Sequence, residues 1–524
     1  MLNPISRRNF IKSALLVSSA LLIPDFSSVF AADNCSVKTK YGIFDGFIDN
    51  QGVKTFLGIP FALPPIKNRR WRAPEPTLPS NRHFNAKKFG FSAWQDVDKN
   101  EEASFNKRGE DCLTLNVWTR SSAKNLPVMV WIHGGGFVSG GSADPIYNLS
   151  NFAANHDAIF VSINYRLNIF GFMNFSSVDS DYSDSGYLGT KDQIAALNWI
   201  KENIAEFGGN PDNITIFGES AGSVSCMLLT VTPDAKNLFQ KVIAQSGNLA
   251  MYNIPEKSVK LAEEFMELGG YKNMRELLTK SDIELMNVYD NLCNKRHLKT
   301  DVDYLPTCDG KFLPSHPLQA LKSGAAREIK LMTGTMVDEY RYWNLYSEEF
   351  TNNIEEFHKE AITIAYEGEV DNISEIYEAW SKNRAENSDY LSFTNQLDWR
   401  IGQELSAEYQ SEFNDVYFYL FSQKSPYELL SSCHALDLVF IFGNADKDME
   451  PNPDKNLIKQ VQAAWFNFAA TGNPNNSLIP EWKQYKIGDR QTMEINSENW
   501  TCQKDLNTQN LSELRGVYEE NLLD

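Results

Sequence analysis

The chain has 524 residues, of which 42% are hydrophobic and 22% are charged, as in an ordinary globular protein. This composition excludes a disordered chain, a collagen-like chain and a multi-span membrane protein. Lys and Arg total 49 against 68 Asp and Glu, so the net charge is −19 and we expect no nucleic-acid partner.

The N-terminal segment predicts an export signal. Arg7 and Arg8, followed by Phe10, fit a twin-arginine signal, and the apolar run 14–23 is too short to cross a bilayer. Small residues near Ala31 place the cleavage there, which gives a signal peptide at 1–31 and a single folded domain at 32–524. A short amphipathic anchor is the alternative.

Export by this route has consequences for the mature chain. The signal carries a net charge of +2, so the mature chain carries −21. A protein exported by the twin-arginine translocon folds in the reducing cytoplasm before export, so its fold should not need disulfides. The seven cysteines agree with this, because they are too few for a disulfide scaffold. We expect a periplasmic or secreted prokaryotic protein.

Strand and helix signals alternate along the rest of the chain. Asp192 to Phe207 has helical periodicity, Gly208-Gly209 ends the helix, and Pro211-Asp212 predicts a turn. A second helix, rich in small residues, follows Ser220. Short apolar runs, typical of strands buried on both faces, lie at 128–132, 158–163, 214–217, 242–244, 331–333 and 416–421.

This alternation predicts an α/β fold with a large, mostly parallel central sheet flanked by helices. The segments 255–330 and 346–412 are charged and helix-rich. We interpret them as helical insertions that cap a site.

One turn carries the first catalytic signal. Residues 218–222 read GESAG between the strand at 214–217 and the helix after Ser220. That is the strand-turn-helix context of a nucleophile elbow, in which the hydroxyl projects beyond the sheet edge. The alternative is an ordinary glycine-rich turn, since the bare pattern also arises by chance.

A second glycine-rich segment follows the strand at 128–132. Residues 133–137 read HGGGF, and consecutive glycines let backbone N–H groups point outward together. Two of these groups and the N–H of Ala221 predict an oxyanion hole. A phosphate-binding loop is the other interpretation, but no Lys-Ser or Lys-Thr pair follows.

A serine nucleophile needs a base, and in this architecture the base follows it in the chain. His83, His133 and His156 precede Ser220 and are set aside. His297 lies in a helical insertion, His316 lies beside a Pro-rich turn, and His358 lies in a charged helical stretch. These positions are less favourable for a catalytic base. His434 remains as the candidate base.

An acid should orient the base, from the end of a strand between nucleophile and histidine. Asp338 and Glu339 both follow the strand at 331–333, and spacing alone permits either.

Four segments of the chain resemble the type-B carboxylesterases, the family that also holds the cholinesterases and para-nitrobenzyl esterases. The resemblance covers most of residues 37–500. The segments are 56–65 (FLGIPFALPP), 110–117 (EDCLTLNV, with Thr114 where an aromatic residue is usual), 192–222 and 434–443.

The resemblance implies an α/β-hydrolase fold with Ser220 as nucleophile, His434 as base and Glu339, rather than Asp338, as acid. It implies further roles for two sets of residues. These are oxyanion donors (Gly135, Gly136, Ala221) and polar groups near the histidine (Glu219, Ser246, Asp437). The polar groups are equally well interpreted as buried groups that satisfy the backbone.

The chain departs from the family in its cysteines and one aromatic residue. The usual partner of Cys112 is missing near 92–93, and no cysteine lies between Cys226 and Cys293. The loop 96–109 has no Trp, so we do not expect choline-ester specificity. Phe105, Phe137 and Trp343 either line an apolar pocket or pack in the interior.

The sequence therefore predicts hydrolysis of small-molecule carboxylic esters through an acyl-enzyme, with no metal or organic cofactor. A lipase, thioesterase or amidase on the same triad is the enzymatic alternative. A non-catalytic adhesion or binding member of the family is the alternative from another class. Oligomeric state stays open, and a monomer is compatible with the sequence.

Overall fold

A mixed sheet of thirteen strands runs through the described part of the computed structural model, which covers residues 34–95, 107–120, 122–296, 304–345, 370–382, 390–506 and 515–516. The strands are β1 Asn34–Thr39, β2 Gly42–Ile48, β3 Lys54–Pro60, β4 His83–Asn85, β5 Thr114–Thr119, β6 Leu126–Ile132, β7 Ile159–Ile163, β8 Gly209–Glu219, β9 Lys241–Gln245, β10 Lys330–Met336, β11 Val416–Phe421, β12 Gln491–Ile495 and β13 Thr501–Lys504.

The strand order is β1-β2-β3-β5-β7-β6-β8-β9-β10-β11-β12-β13, with β4 paired to β2. From β7 to β12 every neighbouring pair is parallel. The pairs toward β1 and the pair β12–β13 are antiparallel. The predicted parallel sheet is confirmed at the centre, where polar groups at the carboxyl ends of several strands converge.

Helices cover both faces of this sheet. They are α1 Ser150–Asn155, α2 Asn168–Phe172, α3 Leu188–Asn203, α4 Ala221–Val231, α5 Pro255–Gly269, α6 Met274–Leu278, α7 Asp282–Arg296, α8 Pro317–Lys322, α9 Val370–Lys382, α10 Tyr390–Asn395, α11 Ile401–Ser411, α12 Leu436–Phe442 and α13 Lys455–Thr471. A π-helix, Gln396–Arg400, joins α10 to α11. None of the described helices is long and apolar enough to span a bilayer.

Alternate residues of β6 show why the apolar runs form central strands. Val128, Val130 and Ile132 pack into one hydrophobic core, while Met129 and Trp131 pack into the core on the opposite face. All five side chains are fully buried. A strand between two helical layers needs apolar residues at successive positions, because both of its faces are covered.

Two sequence predictions differ from the structure. The helix predicted from Asp192 begins four residues earlier, at Leu188, and a 3-10 turn, Ile204–Phe207, closes it. The turn predicted at Pro211-Asp212 is wrong. These residues lie within β8, where the pairing with β6 shifts register, so the strand continues through the irregularity. The predicted signal peptide lies outside the described residues.

Candidate active site

Ser220 lies in the sharp turn between the end of β8 and the start of α4. Its φ of 57° and ψ of −126° are strained for a residue with a side chain. Its N–H donates to Gln245 O at 2.9 Å. A Cβ on Gly222 would lie 2.0 Å from Ile132 O, so the bend needs glycine there. The predicted strand-turn-helix context is confirmed.

The glycine loop after β6 runs directly beside the serine. A Cβ added to Gly134 would lie 3.0 Å from Ser220 Cβ. Gly135 and Gly136 have φ of 105° and 61°, which turns the loop sharply. Within the described ranges, the N–H groups of Gly135, Gly136 and Ala221 donate to no protein acceptor. Three donors are therefore available to an oxygen atom bound beside Ser220.

His434 is buried and contacts Glu339, the carboxylate that the family resemblance implied. Nδ1 of His434 lies 2.6 Å from Glu339 Oε2, and Glu339 Oε1 accepts a hydrogen bond from Met336 N at 2.8 Å. Asp338 instead accepts a 2.6 Å hydrogen bond from Ser431 Oγ. Fully buried, Glu339 is thus oriented from both of its oxygens.

A second carboxylate lies at the other ring nitrogen. Glu219 Oε1 is 2.8 Å from His434 Nε2. Burial by itself lowers the pKa of His434, but the negative charges of Glu219 and Glu339 outweigh it and raise the pKa to about 10. The imidazolium form is therefore strongly favoured while both carboxylates are ionised.

The other two polar residues implied by the resemblance are also buried here. Asp437, at the start of α12, accepts a 2.9 Å hydrogen bond from Gln245 Nε2. Burial, with the nearby charges of Glu219 and Glu339, raises its pKa to about 7. Ser246 has a φ of 51°, and its buried Oγ has no hydrogen-bond partner among the described residues.

Aromatic rings surround His434, and the nearest of them, Trp399, was not predicted from the sequence. The Trp399 ring centroid lies 4.6 Å from that of the imidazole, and the Trp343 ring stacks on it at 5.6 Å and 25°. Tyr342 approaches edge-on at 5.8 Å. Trp399 belongs to the π-helix that joins α10 to α11, and such single-turn irregularities often occur at functional sites.

The three aromatic residues proposed for an apolar pocket, Phe105, Phe137 and Trp343, differ in their surroundings. Phe137 packs edge-on against Phe172 at 5.0 Å within the core, which supports the packing interpretation. The Trp343 ring stacks on His434, as described above. Phe105 lies outside the described residues, as do His297 and His358.

His133 begins the glycine loop beside Ser220, whereas the other described histidines lie away from this loop. His83 is exposed and pairs with Asp45 at 2.8 Å. His156 packs against Phe466, and His316 precedes α8 on the surface. All seven cysteines of the chain are free, and no group of three or more His, Cys, Asp or Glu within the described ranges has a metal-binding arrangement.

Comparison with protein families matches residues 33–513 to the carboxylesterase family. The chain belongs to the carboxylesterase family. The para-nitrobenzyl esterase of Bacillus subtilis is 36% identical over 88% of this chain and 95% of its own length. Mouse carboxylesterase 1C is 30% identical over 85% of each.

Solved structures agree with the sequence relatives. A carboxylesterase of Geobacillus stearothermophilus superposes with a TM-score of 0.82 at 31% identity, over 91% of this chain and 99% of the other. A para-nitrobenzyl esterase superposes with a TM-score of 0.81 at 34% identity, with the same coverage. The fold is thus the α/β-hydrolase fold, and the protein is a carboxylic ester hydrolase.

Proposed function

We propose that this carboxylesterase cleaves small-molecule esters through an acyl-enzyme on Ser220, with His434 as base and Glu339 as the orienting acid. The observation that carries the proposal is the strained serine beside three N–H groups that donate to no acceptor in the described part of the chain, together with the buried His434–Glu339 pair. A lipase, thioesterase or amidase would use the same groups, but the relatives favour an esterase.

The proposed mechanism starts from the ring nitrogen of His434 that Glu339 occupies. Glu339 binds Nδ1, so Nε2 is the nitrogen that takes the Ser220 proton when the hydroxyl attacks the ester carbonyl. The N–H groups of Gly135, Gly136 and Ala221 stabilise the oxyanion, each by about 3–4 kcal/mol. His434 then protonates the leaving alcohol, and water repeats the cycle on the acyl-enzyme.

Ser220→Ala tests the nucleophile. We expect kcat for p-nitrophenyl esters to fall by about 10⁶-fold, the usual cost of removing a serine nucleophile. The exposed Ser323→Ala is the matched control and should retain full activity. An organophosphonate should modify the wild type at Ser220, as mapped by peptide mass. More than a few per cent residual activity, or an adduct elsewhere, would identify another nucleophile.

The acyl and alcohol preferences can be measured on the same enzyme. A panel of p-nitrophenyl esters of rising chain length reports the acyl side. Because one relative is named para-nitrobenzyl esterase, p-nitrobenzyl esters belong in the panel for the alcohol side. Choline esters serve as the negative comparison, since the loop 96–109 lacks Trp.

We further propose that the chain is exported by the twin-arginine route to the periplasm or medium. Arg7 and Arg8 ahead of a short apolar run support this. Residues 1–35 fused to a reporter should direct export, and Arg7→Lys with Arg8→Lys should abolish it. A Lys38→Arg control in a longer fusion should export normally. Undiminished export of the double variant would contradict the proposal.

A further inference from the structure

The direction of each oxyanion donor is set by the carbonyl that precedes it. In a planar trans peptide the C=O of one residue and the N–H of the next point to opposite sides. The described chain has no cis peptide bonds. A hydrogen bond that fixes the direction of the Gly134 carbonyl therefore also fixes the direction of the Gly135 N–H. In the same way, hydrogen bonds to the Gly135 carbonyl fix the direction of the Gly136 N–H.

The Gly134 carbonyl is held by the side chain of His133. Nδ1 of His133 lies 2.8 Å from Gly134 O. A carbonyl can only accept, so Nδ1 carries the hydrogen. His133 is fully buried, and burial lowers its pKa to about 4, so the ring stays neutral. Its ring stacks on Tyr165 at 4.5 Å, which fixes its plane.

The Gly135 carbonyl is held from within the loop. It accepts hydrogen bonds from Val138 N at 3.0 Å, from Ser139 N at 3.0 Å and from Ser139 Oγ at 3.2 Å. The Gly136 N–H is therefore fixed by three local contacts, while the Gly135 N–H depends on the single bond from His133.

Gln95 is hydrogen-bonded to Gly140, at the far end of the same loop, next to the His133–Gly134 hydrogen bond. Gln95 Nε2 donates to Gly140 O at 2.7 Å, and Gly140 N donates to Gln95 Oε1 at 2.9 Å. Gly140 has a φ of 99°, and a Cβ there would lie 2.6 Å from Gly134 O and 2.7 Å from His133 Nδ1. Gln95, itself 1% exposed, thus holds Gly140 directly over the His133–Gly134 contact.

We propose that His133 is a positioning residue, which aims the Gly135 N–H at the oxyanion by binding the Gly134 carbonyl, and that Gln95 holds Gly140 against this bond. The inference rests on the proposed function, because an oxyanion must form at Ser220. His133 takes no proton in the reaction and acts through the main chain alone.

The test compares His133→Leu with His133→Asn. Leu removes the donor, whereas the Asn side-chain amide has an N–H near the position of Nδ1. We expect His133→Leu to lower kcat about 10- to 100-fold with KM nearly unchanged, less than the roughly 10²–10³-fold loss when a donor is removed outright. His133→Asn should recover most of kcat. His156→Leu, a histidine packed on aromatic rings away from the site, should leave kcat unchanged.

A second pair keeps the proposal testable if His133→Leu does not fold. Gln95→Leu should lower kcat selectively. Its control is Gln410→Leu, because Gln410 is also buried and donates to two carbonyls, Ala326 O and Ile329 O. That control should lower the melting temperature alone.

Three results would overturn the inference: equal kcat in wild type and His133→Leu, no recovery in His133→Asn, or equal kcat effects in the two glutamine variants. Ser220→Ala separates these from failure of the proposed function. If it abolishes activity while the His133 variants are fully active, the inference fails alone, and if it retains activity the function itself fails.

Discussion

His434 lies between two carboxylates, and in the proposed mechanism this arrangement controls the pH at which it becomes a base. Glu339 binds Nδ1, and in the proposed mechanism this contact persists throughout the reaction. Glu219 lies at Nε2, the nitrogen that must be unprotonated to take the Ser220 proton. Both negative charges favour the imidazolium over the neutral ring. Glu219 therefore stabilises the charged intermediate but also delays formation of the active base as pH rises.

Glu219→Gln should separate these two effects. Removing one negative charge lowers the pKa of His434, so the acidic limb of kcat/KM should move to lower pH. In the wild type that limb should lie above pH 6.5, the ordinary pKa of the side chain. The pH profile of kcat/KM measures both, with the exposed Glu202→Gln as control. If the acidic limb of the Glu219→Gln profile lies at the wild-type pH, the Glu219 charge does not affect the pKa of His434.

At the scale of elements, the active site depends on how closely β6, β8 and α4 approach one another. The turn at Ser220 brings α4 against the end of β6, and Gly222 lies where a side chain would overlap Ile132 O. The same approach sets Ser220 beside the glycine loop that follows β6. The proposed nucleophile and the proposed oxyanion donors are thus held together by one packing contact between backbone segments.

Gly222→Ala should therefore damage activity and stability together. The added Cβ would lie 2.0 Å from Ile132 O, so α4 or β6 must shift. A displacement of this kind commonly costs about 1–3 kcal/mol, and it would move Ser220 away from its donors. Denaturant unfolding and kcat measure the two effects. Thr230→Ala, at the end of the same helix, is the control, and wild-type behaviour of Gly222→Ala would contradict the account.

The whole molecule carries a large net negative charge, and several of its carboxylic acids are buried. The net charge is −19 at pH 7. Burial raises the pKa of Asp144 and Asp437 to about 7 and that of Asp446 to about 6. Near neutral pH the folded chain therefore holds protons that the unfolded chain, with an ordinary Asp pKa of 3.8, has already released.

The melting temperature should consequently fall as pH rises from 6.5 to 8, whereas above pH 8 the lowered pKa of the buried Lys241, about 8, opposes the trend. Between pH 6.5 and 8 the folded state binds more protons than the unfolded state, so the free energy of unfolding decreases with pH. His434 acts in the same direction because its pKa is also raised, and its contribution disappears only near pH 10.

His133 and His156 oppose this trend, but only below about pH 6.5, because their pKa values are lowered to about 4. Calorimetric scans across the range measure the slope, and Asp144→Asn should flatten it. A melting temperature that rises with pH would show that the buried carboxylates are ionised throughout.

Local sequence patterns are sufficient to predict the central sheet and to propose Ser220 and His434 as candidate catalytic groups. Continuous apolar runs predict strands covered on both faces, since such a strand has no solvent side on which to place polar residues. The β6 and β11 segments, the elbow at Ser220 and the choice of His434 all follow from local pattern and chain order. Each depends on signals within a few residues, or on the order in which the elements occur.

Tertiary structure alone decided which groups touch. Spacing permitted both Asp338 and Glu339 and the family resemblance favoured Glu339, but the folded loop is what turns Glu339 toward an imidazole 95 residues away. The family resemblance placed Glu219 near the histidine but did not say which nitrogen it approaches, and no signal in the sequence indicated Trp399. Both contacts depend on the direction in which each side chain leaves its backbone. Periodicity records which face of an element is buried, whereas contacts between distant elements are fixed by how the sheet assembles.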